Sequence, residues 1–166
     1  DLALDFGPAY GLWTFERGNV WKWRHNLSPK ALALANFDVG FYTNSIHDDL
    51  VVDFGPGIGL WALMNHTSWQ SLHPLSPTLT VSADLDGGSL QTEELICVFP
   101  GYGIYRTNGP EHWWPYPLHG SDPSHLAVGE LDGTPGKELL ASFPGRGLWR
   151  YDDSGGWSLV HPFDAS

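Results

Sequence analysis

The stretch Asp49-Leu-Val-Val-Asp-Phe-Gly-Pro-Gly-Ile-Gly-Leu-Trp61 decides the fold, because three altered copies of it accompany it along the chain. Its first half recurs as Asp1-Leu-Ala-Leu-Asp-Phe6, Glu94-Leu-Ile-Cys-Val-Phe99 and Glu138-Leu-Leu-Ala-Ser-Phe143. Its second half, a Gly-apolar-aromatic step, recurs as Gly11-Leu12-Trp13, Gly103-Ile104-Tyr105 and Gly147-Leu148-Trp149. Eight residues after each aromatic stands a tryptophan: Trp21, Trp69, Trp113 and Trp157. The aromatic steps are 48, 44 and 44 residues apart. A period of this length, repeated over the whole chain, marks stacked supersecondary units.

Each unit reads as four short strands. The first is small and apolar: Leu32 to Phe37, Leu79 to Leu85 and Leu126 to Leu131. A polar loop leads to the second strand, of the Asp49-to-Phe54 type. The third carries the Gly-apolar-aromatic step, and the fourth carries the second tryptophan, as in Ser68-Trp69-Gln-Ser-Leu-His73. Links at Ser28-Pro29, Ser76-Pro77 and Pro123 join the units. The boundaries fall at about 1–29, 30–77, 78–123 and 124–166. No window of helical periodicity competes.

Four strands per unit of about 45 residues is the signature of β-propeller blades. The expected fold is all-β: a propeller domain of about four blades, 44–48 residues each, spanning 1–166. The first blade lacks its first strand, and fifteen strands are expected. Three accounts of the unpaired strand stay open. The chain is a piece of a longer propeller, or it assembles with copies of itself, or it closes with one three-stranded blade. The start at Asp1 fits a mature product or an excised piece, so localisation is not legible directly.

Composition narrows the function. Lys and Arg total 8 against 19 Asp and Glu, a formal net charge of −11, which disfavours nucleic acid and anionic membrane surfaces as partners. No apolar run is long enough to cross a bilayer as a helix. The lone Cys97 excludes an intrachain disulfide and, lying in Leu95-Ile-Cys-Val-Phe99, is expected to be a buried thiol. The 20 Gly, 13 Pro and 9 Trp suit short strands, frequent turns and aromatic packing between blades.

The loop between strands one and two is acidic. It reads Glu130-Leu-Asp132-Gly-Thr-Pro-Gly-Lys-Glu138 in the last unit. The third has Asp84-Leu-Asp86-Gly, closing at Glu93 and Glu94. The second has Asn36-Phe-Asp38-Val-Gly40, closing at Asp48 and Asp49. With the Gly-rich step, these loops resemble FG-GAP/VCBS-type propeller repeats, as in integrin α-chain heads and bacterial surface proteins. The style is also similar to that of a fungal propeller lectin that binds N-acetylglucosamine between blades. The resemblance implies the propeller fold, and calcium on Asn36, Asp38, Asp49, Asp84, Asp86, Glu94, Glu130, Asp132 and Glu138. A hard cation needs six to eight oxygens, which alternating carboxylates about a Gly turn supply. The middle acid of the calcium pattern is absent from all three loops, and self-stabilising Asx turns are the alternative.

An aromatic at one place in every blade offers several like sites for the C–H face of a sugar, and multivalency would raise weak affinities. The candidates are Trp13, Trp61, Tyr105 and Trp149, with a second ring of Trp21, Trp69, Trp113 and Trp157. The preceding turn varies within a fixed frame, through Tyr10, Ile58, Tyr102 and Arg146. His25, His73 and His161 each stand four residues after the strand-four Trp, and Pro117 takes that place in the third unit. Four residues apart on a strand means one face, so each His is expected beside its own Trp. Packing between blades is the competing role of all these rings.

No nucleophile elbow or phosphate-cradling loop occurs, and the carboxylates repeat blade by blade, so no enzyme is expected. The sequence therefore points to a non-catalytic, multivalent, lectin-like module whose partner is a glycan or glycoprotein. The alternative is an extracellular or cell-surface adhesion scaffold. Self-association, or contact with the remainder of a longer propeller chain, is expected on either reading.

Overall fold

A computed structural model describes residues 1–37, 48–88, 92–110 and 116–165. All its regular elements are β-strands. They run β1 Leu2–Asp5, β2 Leu12–Glu16, β3 Val20–His25, β4 Ala31–Ala35, β5 Asp49–Asp53, β6 Leu60–Met64, β7 Ser68–His73, β8 Leu79–Ala83, β9 Glu94–Phe99, β10 Gly103–Thr107, β11 Tyr116–His119, β12 His125–Gly129, β13 Glu138–Phe143, β14 Gly147–Asp152 and β15 Gly156–His161. Consecutive strands pair antiparallel into one three-stranded sheet, β1 to β3, and three four-stranded sheets, β4 to β7, β8 to β11 and β12 to β15. The arrangement is consistent with a propeller, but no closed ring is present among the described residues.

The four sheets are copies in register, not only in sequence. Leu50 pairs with Leu63 and Leu63 with Trp69 in the second sheet, as Leu139 pairs with Tyr151 and Tyr151 with Trp157 in the fourth. The middle strands are apolar on both faces, so β5 and β9 are buried at every position. One sheet alone cannot bury two apolar faces. Leu12 and Ala3 of the first sheet pack on Leu50, Val52 and Leu63 of the second. Val51, Leu60, Ala62 and Leu72 of the second pack on Leu95, Cys97 and Phe99 of the third. Ile96, Val98 and Ile104 of the third pack on Leu139, Ala141 and Phe143 of the fourth. Each fully buried aliphatic side chain contributes roughly 1.5–3 kcal/mol relative to exposure. The loops before strand two add one bond at the second junction and one at the third: Glu93 N–H donates to Asn36 O and Lys137 N–H to Asp84 O, each at 2.7 Å.

One device recurs in every sheet. The pairing of strand three with strand four slips by a residue at Leu12/Trp13, Leu60/Trp61, Ile104/Tyr105 and Leu148/Trp149. This bulge drives a histidine carbonyl toward the glycine that opens strand three. A Cβ on Gly59 would lie 2.3 Å from His73 O, and on Gly103 2.1 Å from His119 O. Both glycines also hold a positive φ, +86° and +88°. The Gly of the repeated step is thus required twice, by conformation and by space.

Carboxylates hold the turn before that glycine, from two different places. In the first two sheets the acid ends strand two: Asp5 accepts from Gly7 N–H at 2.9 Å and Asp53 from Gly55 N–H at 2.8 Å. A linker serine then caps it, Ser28 to Asp5 at 2.5 Å and Ser76 to Asp53 at 2.7 Å. In the last two sheets Val98 and Ser142 hold the strand position, and the acid moves to the linker. Asp122 accepts from Gly101 and Gly103 at 2.7 and 2.9 Å, and Asp164 from Gly145 and Gly147 at the same distances. Those backbone donors, Gly145 first, hold the Asp164 carboxyl below the ordinary value.

Cys97 is wholly buried, and burial pushes its thiol up to about 12, so it is inert in the folded chain. Two outcomes are expected. A thiol reagent should label Cys97 only after denaturation. Gly59→Ala should destabilise by more than about 1 kcal/mol in urea titration, and by more than Gly57→Ala. Gly57 has φ +89°, but a Cβ added there would meet nothing within 4 Å, so the difference isolates the His73 carbonyl clash.

Candidate functional site: aromatic grooves between sheets

The bulge sets the direction of the strand-four histidine. The inserted residue turns His25 away from Trp21 and onto the next sheet, where it lies against Phe54 at 4.5 Å, the rings tilted by 42°, and meets Trp69 edge-on at 5.8 Å. His73 stacks on Phe99 at 4.2 Å. The expectation that each histidine sits beside its own tryptophan is therefore corrected: it lies against the following sheet. The third sheet has its histidine too. His119 pairs with Ile104, as His25 pairs with Leu12, and lies 4.3 Å from Phe143 and 5.4 Å from Trp157. Pro117 instead pairs with Tyr105, where Trp23 faces Trp13 in the first sheet. The chain from Ile104 to His119 is two residues longer than from Leu12 to His25, so counting forward from Trp113 misses the histidine. Counting back three from Ser28, Ser76, Asp122 and Asp164 finds all four.

In every copy Nδ1 accepts a backbone N–H two residues on: His25 from Leu27, His73 from Leu75, His119 from Ser121 and His161 from Phe163, at 3.0–3.2 Å. The neutral ring then carries its proton on Nε2, leaving that nitrogen as donor. Burial lowers the His73 pKa and favours this neutral form.

The strand-three aromatics form the opposite wall. Trp13, Trp61 and Trp149 are half-buried, and each donates its indole N–H to the turn carbonyl three residues earlier: Tyr10 at 2.8 Å, Ile58 at 3.1 Å and Arg146 at 2.9 Å. The ring faces remain for contact, while the N–H is used by the backbone. Tyr105 takes this position in the third sheet, 6.1 Å from Phe99. Of the second ring, Trp69 and Trp157 lie inside grooves, and Trp157 donates to Leu118 O of the neighbouring sheet at 2.9 Å. Trp113 lies outside the described residues.

The groove between the first two sheets is thus complete. His25, Leu27, Phe54, Ile58, Trp61 and Trp69 enclose a cavity of about 320 Å³. A second apolar recess of about 500 Å³, lined by Phe6, Tyr10, Trp13 and Trp21, lies on the first sheet alone. The variable turn residues stand at the rims, with Tyr10 71%, Tyr102 60% and Ile58 43% exposed. Arg146 is exposed and donates to Ser121 Oγ at 3.3 Å. His161 is not brought into a groove: it is exposed, and its one ring contact among the described residues is Phe163, at 5.2 Å. The phenylalanines that end strand two, Phe54, Phe99 and Phe143, are groove residues that sequence reasoning missed. Their signal is the fixed place after every strand two.

The acidic loops hold two triads of ligand-type oxygens within 4.8 Å of one another, Asp84 with Asp86 and Glu94, and Glu130 with Asp132 and Glu138. The closing acids are buried and take the N–H of the loop's second residue: Glu94 from Leu85 and Glu138 from Leu131, both at 2.7 Å. Asp49 does the same for Phe37 at 3.3 Å and also accepts from Asn65 N–H at 2.7 Å. Burial raises the Glu94 pKa. Asp132 is engaged by the Thr134 hydroxyl and backbone, which lower its pKa, and by Arg150 at 3.0 Å. Asn36 Oδ1 is buried with no hydrogen-bond partner among the described residues, and Asp38 lies outside them.

No protein-family model matches the chain, and no curated protein or solved structure does either.

The sign of the histidine effect is fixed by its direction. Where the folded pKa lies below the ordinary 6.5, the unfolded chain binds the proton first as pH falls. Stability should therefore fall from pH 7 toward pH 5. His66, also lowered mainly by burial, acts in the same sense. Urea midpoints across this range should show a shallower decline for His73→Gln than for the parent chain.

Proposed function

We propose that the chain is a non-catalytic, multivalent carbohydrate-binding module, built from propeller blades of the FG-GAP/VCBS type. The observation that carries this reading is the groove of His25, Leu27, Phe54, Ile58, Trp61 and Trp69. It has an apolar aromatic lining and the Nε2 donor of a histidine whose other nitrogen is fixed by the backbone. A sugar presents the matching pair of surfaces, a C–H face and a hydroxyl rim. The pairing of histidine with the phenylalanine of the following sheet recurs at the next two junctions, His73 with Phe99 and His119 with Phe143. Repetition of a weak site gives avidity without further contacts. The carboxylates support a non-catalytic role: those of the loops and turns are engaged by backbone N–H groups, copy after copy.

Calcium is the cation the two loop triads would take, through Asp84, Asp86 and Glu94 and through Glu130, Asp132 and Glu138. Their all-oxygen donor set fits a hard ion, and three carboxylates would leave further positions to carbonyls and water. An extracellular or cell-surface setting accompanies this reading. An adhesion scaffold is the second reading, favoured by the aromatic surface of Trp21 and Trp23, 48% and 55% exposed.

A glycan array probed with the purified chain, in calcium and again in chelator, tests the proposal. Selective binding to a small family of sugars is expected, with Trp61→Ala reducing it about tenfold, the effect of losing roughly 1.4 kcal/mol of contact. Absence of binding in both conditions would remove the sugar reading and leave the scaffold. Calcium should raise the melting temperature, and Glu130→Gln with Glu138→Gln should diminish that rise.

A further inference from the structure

Three junctions between sheets are built from the same two faces. The leading face of a sheet presents the Phe that ends strand two and the strand-three aromatic, and in the second and fourth sheets also the strand-four Trp69 or Trp157. The trailing face of the sheet before it presents the strand-four His and the aliphatic residue that opens strand three. Both faces exist a fourth time, unpaired. On the first sheet the leading face is open: Leu2 is 59%, Phe6 50% and Trp21 48% exposed. Their counterparts by register on the fourth sheet, Leu139 and Phe143, are 0% and 3% exposed against the third sheet. On the fourth sheet the trailing face is open. Val160 is 51% exposed where Leu72 is 8%, and Leu148 is only half-buried where Leu12, Leu60 and Ile104 are at 0–1%. His161 has its Nδ1 fixed by Phe163 N–H like the other three, yet among the described residues no Phe of a following sheet lies beneath it.

We propose that a second copy of this chain fills both vacant half-junctions, head to tail. The trailing face of one protomer, with Leu148, Val160 and His161, docks on the leading face of the next, with Leu2, Phe6 and Trp21. The molecule itself points to this occupant. The open leading face is a register-matched copy of faces that already bind a trailing face three times, and His161 is the one strand-four histidine without a phenylalanine from a following sheet among the described residues. Phe6, Tyr10, Trp13 and Trp21 line the recess that receives His161, in the way that Phe54, Ile58, Trp61 and Trp69 receive His25. A heterologous contact of this kind closes into a ring when its rotation allows and otherwise continues as an open array. Each contact also completes one more aromatic groove, shared between two protomers. That this groove binds sugar rests on the proposed function, while the contact itself does not.

The test is the mass of the purified chain by sedimentation equilibrium, with no sugar present. A mass of two or more chains is expected at micromolar concentration. Phe6→Asp spoils only the leading face and His161→Asp only the trailing face, so each variant alone should be monomeric. Mixed, they should form a species of two chains, since each retains the face the other lost. Leu2→Asp and Val160→Asp serve as second variants for the two faces should either of the first fail to fold. A monomeric parent chain at about 100 micromolar would overturn the proposal. So would association that survives either single substitution, or failure of the mixture to associate. Sugar binding by a monomer would leave the proposed function standing and remove only this contact.

Discussion

The two inner sheets are apolar on both faces, and this single constraint organises the rest of the structure. A four-stranded sheet standing alone would leave one row of leucines and valines in water on each side. Stacking copies of the sheet removes both rows at once, which is why Leu12, Leu60 and Ile104 are buried almost completely at like positions. The repeat is therefore a packing solution before it is a binding device. The aromatics that a ligand could use are the outer margin of the same junctions, where packing thins and a groove remains.

The bulge turns this packing into a groove. Without the extra residue before it, His25 would stay on the face of Trp21 and contribute nothing to the next sheet. With it, the ring crosses the junction and lies against Phe54, while its Nδ1 accepts the Leu27 N–H. The bulge in turn demands glycine at the head of strand three, because the histidine carbonyl occupies the space of a Cβ. Glycine, histidine and phenylalanine, far apart in sequence, are thus parts of one geometric arrangement. The turn carboxylate supports it from whichever side supplies the acid, Asp53 from the strand or Asp122 from the linker.

The first junction departs from the others. Glu16 stands where the second sheet has Met64, and Arg24 where it has Leu72. Glu16 is buried, and Arg24, Lys22 and His66 surround it, with Arg24 also donating to Thr14 Oγ1 and His66 O at 2.8 Å. Such a cluster is well satisfied, but desolvation offsets much of its Coulomb gain, so it specifies the junction more than it strengthens it. Three of its four members, Glu16, Lys22 and Arg24, belong to the three-stranded sheet.

The sequence alone determined the strand plan, the unit boundaries and the places of the repeated aromatics, because a pattern of short strands repeated four times leaves little room for another fold. It also marked the acidic loops, whose closing residues Asp49, Glu94 and Glu138 proved to be buried anchors for the loop backbone. It could not show where the histidines point. A one-residue slip in pairing reverses a side chain's face without any change in sequence spacing, and a two-residue insertion concealed His119 behind Pro117. Nor could it show which rings share a groove, since Phe54 and Trp61 meet His25 only through contact between sheets. Those facts belong to the tertiary structure because they depend on register and on the neighbour a face finds, and neither is written in any single strand.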